Sequence, residues 1–88
     1  MLNEIKEMLI WLGEGLEWSI VPQSDKFAMV YVYVYRDENG LPTVEDYGRG
    51  FRAVELLEHE AIEYDYSDDE CEWYYFSDCT VRWGYKVM

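Results

Sequence analysis

Eighty-eight residues, half of them hydrophobic and 18% aromatic, make one folded domain over residues 1–88 and exclude a disordered chain. The formal charge of −12 excludes direct nucleic-acid binding, because phosphates repel it, and argues equally against an anionic membrane surface. Met1-Leu2-Asn3-Glu4-Ile5 carries no basic n-region or long apolar stretch, so neither a signal peptide nor a membrane span is read, and the expected location is the cytoplasm.

In chain order, Leu2, Ile5, Met8, Leu9 and Leu12 fall at helical spacing. They predict a short helix over roughly 3–12, with Asn3 as N-cap and Gly13 as terminator. Residues 16–20 alternate and predict a strand ended by Pro22, followed by a turn at 23–26. Residues 27–36 are the strongest strand signal. Phe27, Met29, Tyr31, Tyr33 and Tyr35 share one face, and Ala28, Val30, Val32 and Val34 share the other. Asp37-Glu38-Asn39-Gly40 predicts a hairpin turn, with a return strand over 43–47. Gly48-Arg49-Gly50 reads as a break. Residues 52–63 read as a second helix with Val54, Leu57, Ala61 and Tyr64 on its apolar stripe. Residues 62–66 alternate as well, so the helix end and a strand start compete there. A loop over 67–70 and a final hairpin of strands 72–76 and 80–87 complete the chain.

These elements predict an α+β fold: a small antiparallel sheet of about four to five strands packed with two short helices. The Val face of 27–36 is the expected helix-covered side, and the Tyr face is expected to be partly covered. Tyrosine suits an interface because its ring packs while its hydroxyl stays wet. The plainer alternative packs these tyrosines against Trp18 and Trp83.

Charge is concentrated in one stretch. Between positions 55 and 78 lie Glu55, Glu58, Glu60, Glu63, Asp65, Asp68, Asp69, Glu70, Glu72 and Asp78, with no Lys or Arg, so this stretch supplies −10 of the −12. Six aromatics share it: Tyr64, Tyr66, Trp73, Tyr74, Tyr75 and Phe76. A calcium loop starting at Asp65 fails at its glycine position, which holds Glu70, and at its final glutamate, which holds Phe76. Cys71, Cys79 and His59 lack zinc-ligand spacing. No metal or cofactor is therefore expected. The two cysteines are expected as free thiols, the alternative being a pair that faces across the final hairpin and bridges in an oxidising compartment. His59 is the lone histidine and sits between two glutamates, which favours imidazolium over a neutral base. Gly48-Arg49-Gly50 falls short of a phosphate-cradling motif. The expectation is a binding protein and not an enzyme.

Carboxylates at alternate strand positions lie ~6.6–6.8 Å apart, close to the phosphate spacing of a nucleic-acid strand. Interleaved rings stand where bases would stack. On Glu63-Tyr64-Asp65-Tyr66-Ser67-Asp68-Asp69-Glu70-Cys71-Glu72-Trp73-Tyr74-Tyr75, the chain resembles the small acidic inhibitors of phages and mobile elements, the anti-CRISPR and anti-restriction DNA mimics. The resemblance covers the C-terminal third and rests on size, acidity and surface character. It implies blockade of a cationic DNA- or guide-binding surface of a nuclease or effector complex, in the host cytoplasm if phage-encoded. The residues expected to meet that partner are Glu55, Glu58, Glu63, Asp65, Tyr66, Asp68, Asp69, Glu70, Glu72 and Trp73. Two alternatives stand beside it: an immunity protein or antitoxin capping a basic toxin nuclease, and a structural module that homodimerises through the Tyr31/Tyr33/Tyr35 face.

Overall fold

The first apolar stripe does form a helix. The computed structural model describes residues 1–13, 15–36, 39, 47–68 and 71–87, by backbone alone at 47–49, 51 and 87, and in it α1 spans Leu2–Leu12. Ile5, Met8, Leu9 and Leu12 are its buried face. Gly13 ends it at φ 74, a left-handed backbone that glycine adopts without strain. The predicted Asn3 cap is not used. Asn3 lies inside the helix, and the N-cap residue, Met1, makes no side-chain cap bond. The Asp78 carboxylate caps from the other end of the chain instead, accepting the Leu2 backbone N–H at 2.9 Å and the Met1 amine at 3.0 Å.

Two strands follow, β1 at Leu16–Ser24 and β2 at Phe27–Arg36, paired antiparallel. Pro22 does not end β1. The strand passes through it with a register shift between Pro22 and Ser24, so the turn narrows to Asp25 and Lys26. β1 lies at the sheet edge, where the missing proline N–H removes no bond from a second neighbour.

The second helix, α2, spans Tyr47–Glu60, earlier at both ends than predicted. Gly48-Arg49-Gly50 is its first turn and not a break, and Tyr47 belongs to it and not to a return strand. Residues 37, 38, 40–46, 69 and 70 lie outside the described residues, so most of the predicted hairpin turn, the predicted return strand up to residue 46 and half of the loop at 67–70 fall there. β2 pairs with β1 on one side and with β5 (Cys79–Val87) on the other. After α2 come β3 (Glu63–Asp65) and β4 (Cys71–Tyr75). The competition over 62–66 resolves as strand for 63–65, and Tyr64 sits on that strand instead of the helical stripe.

The five strands run in the order β1-β2-β5-β4-β3. Among the described residues the fold is α+β with two helices and five strands, as the sequence predicts, but the sheet is mixed. β2 and β5 pair parallel, and the other three pairs are antiparallel. A parallel pair needs a long crossover, here the whole passage through α2, β3 and β4.

Both helices cover the same face. Ile5, Leu9 and Leu12 from α1 join Ala53 and Leu57 from α2 over Val30, Val32, Val34, Val81 and Trp83 in one core cluster. Alternation along β2 separates buried valines from partly exposed Phe27, Met29, Tyr31, Tyr33 and Tyr35, as expected. The pairing places Trp18 and Trp83 both opposite Val32, on the helix side. The Tyr face therefore does not pack on these tryptophans. Its neighbours are Trp73 and Arg82.

Candidate functional site

The acidic stretch becomes the far edge of the molecule. α2 delivers Glu55, Glu58 and Glu60 on its exposed sides, and the chain then turns at once into β3, the outer strand. The turn is held by the Ala61 N–H on the Leu57 carbonyl at 2.9 Å and the Ile62 N–H on the Tyr75 carbonyl at 2.8 Å. Strand alternation then sorts β3: Glu63 and Asp65 point to the open side of the sheet, and Tyr64 points to the helix side, opposite Tyr74.

On the helix side the rings and carboxylates interlock. Tyr64 stacks on Tyr66 with ring centres 5.0 Å apart, and Tyr66 meets Tyr74 edge-on at 6.0 Å. The Tyr66 hydroxyl donates to Glu58 and lies 3.2 Å from the Tyr74 hydroxyl. Tyr74 donates to Glu72 at 2.9 Å, and Tyr85 donates to the other Glu72 oxygen at 3.4 Å. Arg36 stacks 3.7 Å over the Tyr85 ring, bringing one cation to the inner end of this chain of contacts. Burial, with the Glu58 hydrogen bond adding, pushes the Tyr66 phenol up to about 12. Burial, then the bonds to Tyr66 and Glu72, pushes Tyr74 further in the same direction.

The ten predicted contact residues therefore divide. Glu58, Tyr66 and Glu72 are brought together in the network. Glu63 and Asp65 lie on the opposite side of β3, and Glu55 lies on the outer side of α2. The Ser67 side chain and backbone N–H hold the Asp65 carboxyl below its usual range, the N–H at 2.8 Å. Asp68 accepts the Cys71 thiol at 3.3 Å. Trp73 leaves the acidic side, facing the open sheet opposite Arg82, whose guanidinium carbon is 5.7 Å from its ring. Asp69 and Glu70 lie outside the described residues. Asp78 is taken by the α1 cap. Sequence reasoning missed Tyr64, Tyr74 and Tyr85 as hydroxyl and ring partners of the carboxylates. The readable signal was the alternation Glu72, Tyr74 against Tyr64, Tyr66, which puts four oxygen-bearing side chains on one side of paired strands.

The electrostatics of this edge run against stability. The last turn of α2 carries Glu58 and Glu60 at the negative end of the helix dipole, with His59 the basic residue there. Among the described residues, no ion pair reaches Glu55, Glu58, Glu60, Glu63 or Asp65; the ion pairs are Met1 with Glu4 and Asp78, and Lys86 with Glu17. Nor do three or more His, Cys, Asp or Glu gather with metal-holding geometry among the described residues. No described helix is long and apolar enough to cross a membrane.

Cys71 and Cys79 do not face each other. Cys71 pairs with Gly84, five residues along β5 from Cys79 and on the opposite face, about 17 Å away at strand rise. A disulfide needs Cα atoms within ~7 Å. Neither is in a disulfide, and both are buried.

No family model, curated protein or solved structure matches this chain.

Proposed function

We propose that this protein is an acidic, nucleic-acid-mimicking inhibitor that docks its α2–β3 edge into a cationic nucleic-acid-binding surface of a nuclease or of a CRISPR or restriction effector. One observation carries this reading. Among the described residues, carboxylates without ion-pair partners crowd the C-terminal turn of a helix, where helix electrostatics disfavour them, and the strand that follows. Local rules broken together at one surface mark a site kept for something other than stability. A general solubility charge would spread over the surface instead.

The geometry supports mimicry in particular. Glu63 and Asp65 stand ~6.6–6.8 Å apart on β3. Exposed Tyr64 and Tyr66 stack on the other side of the same strand, so one edge carries both rings and a row of charge, as a nucleic-acid strand carries bases and phosphates. A cationic channel that draws affinity from charge neutralisation binds such a row on the same terms. An immunity protein capping a basic toxin nuclease would use the same edge, and the partner's identity separates the two.

The test is capture from the source cell with wild-type protein and with a variant carrying Glu63→Lys, Asp65→Lys and Asp68→Lys. The expected result is a nucleic-acid-binding protein retained by wild type, released by duplex DNA or guide RNA, and lost with the variant while its circular dichroism stays native. A partner that nucleic acid does not displace, or that the variant still holds, overturns mimicry.

A further inference from the structure

The sheet has a second surface, which the acidic edge meets only at Glu63 and Asp65 of β3. Both helices pack on the Val face, and on the other face Tyr31, Tyr33, Trp73 and Arg82 stay partly exposed. Paired registers assemble that open face: Ser19 opposite Tyr31, Tyr31 opposite Arg82, Arg82 opposite Trp73, and Tyr33 opposite Gly84. Its side chains are already ordered against each other. Arg82 lies between two rings, 5.6 Å from the centre of Tyr33 and 5.7 Å from that of Trp73, and donates to the Tyr33 hydroxyl at 3.2 Å. Lys86 lies 4.6 Å over Tyr33 and pairs with Glu17 at 3.1 Å. The Tyr33 ring lies over Gly84, where an added Cβ would stand 3.4 Å from it, in ordinary van der Waals contact. A surface held this way loses little side-chain entropy on docking.

We propose that a second copy of this chain docks here, face to face through Tyr31, Tyr33, Trp73 and Arg82. Charge decides the occupant. Over the five strands the open face carries Glu17, Glu63, Asp65, Arg82 and Lys86, a sum of −1 on a chain of −12. Two like copies repel through every acidic surface and have a near-neutral one to offer here. The cationic surface suited to the α2–β3 edge gains nothing from this face. Single-stranded nucleic acid, the other ligand that stacks on aromatic sheets, would meet Glu17, Glu63 and Asp65 along it with two cations to oppose them.

Area sets the strength. Strands of 9, 10, 3, 5 and 9 residues, at ~3.3 Å per residue and ~4.8 Å between strands, present about 570 Å². Two copies bury about 1,100 Å², close to the ~1,200 Å² lower bound of specific interfaces. The dimer is therefore weak, of roughly micromolar affinity or poorer.

The inference stands apart from the proposed inhibition, and salt separates them. Screening relieves repulsion between two acidic copies, so dimerisation tightens between ~50 and ~500 mM salt, whereas binding of a cationic partner by the acidic edge loosens. The experiment is sedimentation of the full chain from about 10 μM to 1 mM at both salts, with Tyr31→Lys and Ser19→Lys. Ser19 is exposed, so its substitution places two cations in the interface without disturbing the core. The expected result is a monomer–dimer equilibrium that tightens with salt and weakens at least tenfold in both variants, with native circular dichroism. A monomer at 1 mM, a dimer that Ser19→Lys leaves unchanged, or binding of a labelled oligothymidylate without dimerisation overturns the proposal.

Discussion

Asp78 accepts the backbone N–H of Leu2 at 2.9 Å across 76 residues of chain. The turn of the last hairpin thereby caps the first helix. Asp78→Ala leaves the α1 N-terminus without its acceptor and is expected to cost about 0.5–2 kcal/mol, the range for a lost N-cap, read as a lower urea midpoint. The pH dependence has a definite sign. The Leu2 N–H, followed by the terminal amine, holds the Asp78 carboxyl below its ordinary 3.8. Its contribution is fully present above 3.8 and disappears as pH falls through the depressed folded value. Acid titration of wild type against Asp78→Ala should show the two curves converging only below pH 3.8.

Tyr74 is fully buried beneath its own network, with its hydroxyl on Glu72 and 3.2 Å from Tyr66. Tyr74→Phe keeps the ring and removes a donor to a charged acceptor, for a loss of about 1.5–3 kcal/mol in chemical denaturation. The same network sets an alkaline limit. A phenol whose folded value is raised above its unfolded 10 stabilises fully below 10 and ceases to do so as pH passes the folded value, about 12 for Tyr66. Spectrophotometric titration should show Tyr66 and Tyr74 still unionised above pH 10, with unfolding accompanying their ionisation.

The parts of the fold that were legible are those set by short-range periodicity. β2 was readable residue for residue because two alternating faces of ten residues admit no other period. The apolar stripe of α1 was equally plain. Pairing partners were not readable. Nothing local in Phe27–Arg36 or Cys79–Val87 states that they run parallel, since that depends on where the crossover returns. The α1 cap was illegible for a related reason: Asn3 is a good local cap, and the acceptor used is 76 residues away. At the candidate site, the sequence located the acidic edge but treated its carboxylates as one ridge. β3 alternation splits them, sending Glu63 and Asp65 to one side and the Glu58–Tyr66–Tyr74–Glu72 contacts to the other.

Register also predicts the thiol chemistry. Cys71 and Cys79 lie at opposite ends of the last hairpin and on opposite faces. Mild oxidation of the native chain should form no intrachain bridge. Burial pushes the Cys79 thiol up to about 12, with the neighbouring Asp78 charge adding, so at pH 8 almost none of it is thiolate. An aromatic disulfide reagent should label Cys79 at the rate of global unfolding, and both thiols at once in denaturant. Rapid labelling of Cys79 in the folded protein would contradict the packing.

Glu60 separates a structural from a functional reading of the acidic edge. It is exposed, it ends α2, and it faces the negative pole of the helix dipole beside Glu58 and Glu63 with no basic partner among the described residues. If the charge serves the fold, Glu60→Lys destabilises. If the fold tolerates it for the sake of binding, Glu60→Lys reverses the dipole interaction and stabilises by about 0.3–1 kcal/mol. The expected outcome is the second, a higher denaturation midpoint together with weaker retention of the captured partner. Opposite signs for stability and binding at one exposed residue are what a surface selected for a ligand should give. A fall in both would assign Glu60 to the scaffold and remove the electrostatic ground on which the inhibitor reading stands.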